Sequence, residues 1–230
     1  MLKRLLTLLG GTALLLLSLS RLPLSGYSPS TALPSGTLSL SGVRAAVIVV
    51  GLSLQCSMHA DGKGCFNFNC RGFIQTNRQH IATAILHPVS QYLGPQFAVT
   101  VEIIRDATGK WWVRRQGQDI GYWPRELVPA LDGGAQWIAF GGEVVWDGEG
   151  RPHTATDMGS GRYPGGGFRK AAFFKNVVVL NPQLVYEYPK DVVVSANHEE
   201  CYDLKIGGTN DRAWGYFFFY GGPGRTDRCT

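Results

Sequence analysis

From residue 97 onward the chain is cut into short runs of β-branched and aromatic residues, each closed by glycine, proline or a polar turn, and this punctuation constrains the fold most. Runs of four to eight such residues suit single strands and are too short for stable helices. Phe97 to Ile104 alternates, Asp106-Ala-Thr-Gly109 reads as a turn, and Trp111 to Arg115 follows, so the three predict a hairpin. Gln136 to Trp146 predicts a strand with a glycine pair inside it. Further strands are expected over 168–180, 184–188 and 216–220, and a buried one over 43–54. Pro124 to Leu131 is the one convincing helical turn, and Pro129 keeps it short. Charged residues make up only 17%, which argues against long charged helices and coiled coils, while 30 glycines and 12 prolines supply turns. No βαβ unit and no fixed-period repeat is present. The expected fold is all-β, an antiparallel β-sandwich or open barrel, as one domain over 43–230.

The N-terminus reads differently. Lys3 and Arg4 precede a sixteen-residue apolar run, Leu5 to Ser20, with small residues Ser18 and Ser20 before Arg21. This is the pattern of a secretory signal peptide, here set at 1–26 and left outside the fold, with an uncleaved signal anchor as the alternative. Residues 27–42 are rich in Ser, Pro and Gly and read as a linker or disordered leader. Residues 1–60 hold four basic residues and no Asp or Glu, so most of the formal charge of +5 sits there. The remainder is nearly neutral. No nucleic-acid face follows from it, and no stable membrane association is expected after signal cleavage.

A secreted chain makes its five cysteines readable as bridges. Cys65 and Cys70 flank a four-residue loop, Cys201 and Cys229 tie the ends of the last segment, and Cys56 is left over. No cysteine pair has two-residue spacing and the five histidines are scattered, so no metal or other cofactor is expected.

Nucleophile elbows, HExxH and phosphate loops are absent. Glu143 stands out, a carboxylate in the apolar stretch Phe140-Gly-Gly-Glu-Val-Val145. Such a group must be neutral, paired or functional when buried, or else lie on a solvent face. The glycines beside it allow a substrate backbone to approach. His153 to Gly161 forms a polar loop, in which His153 orients a carboxylate or is a satisfied surface histidine. Five tryptophans within 111–146 suit a sandwich core and equally suit stacking on carbohydrate or proline. Trp137, Trp146, Tyr220 and Tyr163 are the candidate substrate-binding residues around Glu143. Two functions follow, a hydrolase working through carboxylates and a secreted aromatic-lined binding module.

Six motifs in order resemble the neprosin family: Gly64-Cys-Phe-Asn-Phe-Asn-Cys-Arg-Gly-Phe73, Gly121-Tyr-Trp-Pro124, Gly141-Gly-Glu-Val144, His153 to Gly161, Cys201-Tyr202, and Tyr220-Gly-Gly-Pro-Gly224 with Cys229. The resemblance covers roughly Ala60 to the C-terminus. It implies a secreted plant protein with an antiparallel sandwich and a glutamic endopeptidase that cleaves after proline in acid. Its substrate would be a peptide or protein, proline-rich among the options. It implies two catalytic glutamates, one of which maps to Glu143. The other belongs to an I-E-A-G-W motif upstream of the cysteine pair. That motif is not in residues 1–60, and Asp61, the only acid before Cys65, matches a different family stretch. The resemblance thus implies a family domain incomplete at its N-terminal end, with impaired or absent activity, or a silent binding protein that uses the same groove.

Overall fold

The computed structural model describes the backbone over residues 12–20, 38–41, 51–56, 65–66, 72–82, 86–135, 137–145 and 152–230. Side chains are described from residue 72, apart from 83–85, 130, 136–137, 139, 143 and 145–151. The described chain is all-β, with no α-helix. A four-stranded meander contains β5 (Ile74–Gln75), β6 (Val101–Arg105), β7 (Trp111–Arg115) and β8 (Gln118–Trp123), in the order β5-β8-β7-β6. The expected hairpin is β6–β7, with Ile103 paired to Val113. Its turn is held by Asp106, whose Oδ1 accepts from the Thr108 and Lys110 amides at 2.8 and 3.0 Å and whose Oδ2 accepts from Trp112 Nε1 at 2.8 Å. Strand β8 was not anticipated, because Gln118 and Asp119 give its start a polar look. The stretch from Pro124 to Leu131 forms two 3₁₀ turns, Arg125–Leu127 and Pro129–Leu131. Pro129 has no N–H to continue the first turn.

The larger part is sandwich-like. A six-stranded sheet comprises β1 (Thr12–Ser20), β2 (Leu38–Ser41), β3 (Gly51–Cys56), β4 (Cys65–Phe66), β9 (Trp137–Val145) and β13 (Val192–Ala196), in the order β13-β1-β9-β2-β3-β4. Pairings are antiparallel except β2–β9. A three-stranded sheet, β10 (Ala172–Phe174), β15 (Gly215–Gly221) and β14 (Asp203–Asp211), packs against it. A ribbon of β11 (Val179–Leu180) and β12 (Tyr186–Glu187) completes the set. The core between the two sheets takes Val144 and Phe140 from β9, Val192 and Ala196 from β13, and Leu204, Tyr216, Phe218 and Tyr220 from β14 and β15. Alternation along β15 sends Phe217 and Phe219 to the other face, where they meet the Trp214 ring.

The apolar run set aside as a leader supplies β1, inserted between β9 and β13. All nine of its residues pair with β9, from Thr12↔Val145 to Ser20↔Trp137, and Leu15 to Leu19 pair with β13. A strand in the middle of a sheet can read as an unbroken apolar run, which is also how a leader reads. The strand expected over 43–54 is described only from Gly51.

Candidate active site

Strand β9 carries Glu143 and its glycines. Phe140, Gly142 and Val144 lie on the face that meets the core. Glu143, like Trp137 and Gly141, occupies the alternate positions along the strand. The side chains of Glu143 and Trp137 and all of Trp146 lie outside the described residues. Gly142 has a packing reason. A Cβ there would stand 2.8 Å from Met158 Sδ and 2.9 Å from the Tyr220 ring. This close approach requires glycine at 142.

Met158 links the strand to the polar loop. Its amide donates to the Gly222 carbonyl at 2.9 Å, and the Arg225 amide donates to the Thr154 carbonyl at 2.8 Å. Tyr202 Oη donates to the Thr156 carbonyl at 2.8 Å, and Tyr163 Oη donates to the Glu200 carbonyl at 2.6 Å. Gly224 has φ of +69°, and a Cβ there would sit 2.5 Å from the Thr154 carbonyl oxygen. The Cys201–Cys229 bridge, with Cα atoms 4.9 Å apart, closes the assembly. Thus the polar loop, Cys201-Tyr202, the Tyr220 to Gly224 turn and Cys229 converge on one locus against β9. Of the expected substrate residues, Tyr220 is buried core and Tyr163 is half-buried and tied to Glu200. Cys70 lies outside the described residues, and the β3–β4 register sets Cys56 across from Cys65.

Asp157, His198 and Glu200 are titratable groups of this locus that carry no individual reading from the sequence. Burial pushes the His153 imidazole below its ordinary value, and neighbouring His198 pushes it the same way. Its Nδ1 lies 3.1 Å from the Thr154 carbonyl, and its ring centroid is 5.2 Å from that of His198. Burial raises the Asp157 carboxyl, against the pull of Arg162. A raised carboxyl holds its proton further into weak acid, which suits proton donation. Burial also raises the Tyr202 and Tyr220 phenols, so both stay neutral. Asp157 stood in plain sight within the loop motif, but spacing alone carries no information about burial. His153, Cys201 and Cys229 also bring potential ligand atoms within 4.8 Å of one another, as do His198, Glu200 and Cys201.

The family model described as Neprosin matches residues 53–223. The chain belongs to the neprosin family. The match takes in β9 and the loop locus, including five of the six motifs in full, and ends at Pro223 within the last. Strands β1 and β2 lie before it. The neprosin assignment thus rests on the part of the molecule in which distant motifs are packed together.

Proposed function

We propose that this chain recognises proline-containing peptides outside the cell and hydrolyses them through Glu143 alone, far more slowly than a neprosin-family member with two glutamates. The observation that carries this reading is the composition of the strands beside β9. In the register Leu14 stands opposite Glu143, and neither Thr12–Ser20 nor Leu38–Ser41 contains an acid. Amide hydrolysis needs a base to activate water and an acid to protonate the leaving nitrogen. Two neighbouring carboxylates fill both roles by sharing a proton, because repulsion separates their titrations. Glu143 can fill one role at a time.

Trp137 stands six residues before Glu143 on β9, or about 20 Å along the strand. A flat ring at that separation suits stacking on a proline several residues from the reacting bond. The buried Cys201–Cys229 bridge supports the extracellular space, an oxidising compartment, as the place of action. Among the described residues, no helix is long and apolar enough to cross a membrane.

The same acid-free neighbours favour a second reading, a binding protein that does not cleave. Incubating a proline-containing peptide with the chain and with Glu143→Gln from pH 2 to 6 separates the two. The expected rate is about 10²–10⁴-fold below that of a two-glutamate member, abolished by Glu143→Gln, with peptide binding retained. Cleavage at the full two-glutamate rate overturns the reading. Binding without turnover by either protein establishes the second one.

A further inference from the structure

The bridge between Cys201 and Cys229 sits against two histidines from distant parts of the chain. Cys201 and Cys229 are fully buried, and so is His153. Potential donor atoms of these three lie within 4.8 Å of one another. Those of His198, Glu200 and Cys201 form a second such group, so Cys201 belongs to both. The His153 and His198 rings are 5.2 Å apart. In sequence the four residues are at 153, 198, 201 and 229, a spacing that matches no metal motif. Only the packing of the loop, the β13–β14 turn and the C-terminus assembles them.

We propose that the reduced form of this bridge, with His153 and His198, is a four-ligand site for zinc or another thiophilic divalent cation. The two imidazoles are held in the manner of metal ligands. His153 Nδ1 faces the Thr154 carbonyl at 3.1 Å and His198 Nδ1 faces Glu200 Oε1 at 3.3 Å. Donation from each Nδ1–H places the lone pair on Nε2, and a carbonyl or carboxylate behind a ligating histidine is the usual supporting arrangement. Tetrahedral zinc with bonds of about 2.0–2.3 Å sets its donors roughly 3.3–3.8 Å apart. The donors of His153, Cys201 and Cys229 already lie within 4.8 Å of one another, and that of His198 lies within 4.8 Å of Cys201, so the fourth ligand has to swing in to complete the tetrahedron. His198 is partly exposed and Glu200 is exposed, which gives a cation a route in from solvent.

The chemistry balances with a thiol or phosphine reductant as electron donor. Two electrons and two protons convert the bridge to two thiols. The cation then displaces both thiol protons to solvent, and two thiolates with two neutral imidazoles leave a zinc complex of zero net charge. While the bridge is intact, Cys201 and Cys229 offer no thiolate. The disulfide and the metal are thus alternative closures of the same locus.

The test uses the full chain with Co²⁺ as a spectroscopic stand-in for zinc. The chain is reduced with a non-chelating phosphine, and thiolate-to-cobalt charge-transfer and tetrahedral ligand-field bands are recorded. The expected result is one ion per chain with both sets of bands, bleached by stoichiometric Zn²⁺, and no bands from the oxidised chain. Cys229→Ser should remove the two-thiolate spectrum. Glu200→Gln, which weakens the support behind His198, should lower affinity by about 10–100-fold. Near-UV circular dichroism covers the case in which reduction loosens the fold, because the metal should then restore the signal. Absence of charge-transfer bands in the reduced chain overturns the proposal. Bands unchanged in Cys229→Ser also overturn it, since Cys56, Cys65 and Cys70 would then be the ligands.

Discussion

The meander and the sandwich hold themselves together by different means. The fully buried apolar residues of the meander are Ala82, Val113 and Ile120, backed by Phe73, Val101 and Trp123. Its other supports are polar and mostly short in sequence. Asp106 grips its own turn, Arg114 pairs with Asp119 across the β7–β8 hairpin, and Arg125 pairs with Asp132 below the 3₁₀ turns. The sandwich buries a larger, aromatic-rich core and is closed by groups that are far apart in the chain, such as Met158 with Gly222 and Cys201 with Cys229. Local supports of exposed type contribute little each, whereas buried aromatic packing contributes several kcal/mol per site. The family motifs gather mainly in the sandwich, and within the meander the β6–β7 and β7–β8 hairpins are locally encoded while β5 joins from a distance.

The largest expected effect comes from removing residues 1–26. This deletes β1 and leaves β9 and β13 without their shared neighbour. The expected outcome is loss of cooperative melting by the sandwich, while hydrogen exchange in β6–β8 stays slow. A shortened chain that melts as sharply as the full one breaks the contrast and makes β1 dispensable. Next is Gly142→Ala, whose methyl must displace Met158 or Tyr220. We expect about 1–3 kcal/mol of destabilisation in denaturant titration, with the β6–β7 hairpin unaffected.

Asp106→Asn tests the meander in the same way and should cost about 1 kcal/mol at neutral pH. Burial works to raise the Asp106 carboxyl, but hydrogen bonds from Thr108, Trp112 and Lys110 together hold it down to about 2. Because the folded value lies below the ordinary 3.8, its contribution is present above pH 3.8 and is lost as pH falls through about 2. The stability gap between wild type and variant should therefore close across that window, and a gap constant down to pH 2 would contradict the assignment. The smallest effect is Asp157→Asn. Burial raises this carboxyl in the folded state, so ionising it penalises folding progressively as pH rises above the ordinary carboxylate value. The variant should melt slightly higher than wild type at pH 7 and equally at pH 3. A variant that melts lower at pH 7 would show that the ionised group is paired.

Local features were legible in the sequence and long-range ones were not. The β6–β7 hairpin could be read because Asp106 and Gly109 specify the turn without outside help. Strand β15 could be read as a strand but not by face, since Tyr216 to Tyr220 are all aromatic and only packing sends Phe217 and Phe219 outward. Strand β14 was hidden by Lys205, Gly207 and Gly208, where the pairing register shifts. Position 168–180, expected as one strand, breaks into β10 and β11, with Asn176 at φ +52° between them. At the site, the sequence offered Glu143 and the loop as separate motifs. Their junction through Gly142 and Met158, and the approach of His198 to His153, depend on sheet packing that no local pattern encodes.

The position of β1 has a kinetic meaning. The nine residues that pair with β9 are the same apolar run that a secretory pathway would thread and remove. A run engaged in export is extended across another machine and cannot pair with β9. Once zipped into the sheet, it is hidden from any enzyme that would cut behind it. Under the extracellular reading proposed above, export and sheet closure would compete for one segment. Retention of the run keeps β9 paired along its full length, and its loss would leave that row of amides and carbonyls to be satisfied by water or by a strand from elsewhere.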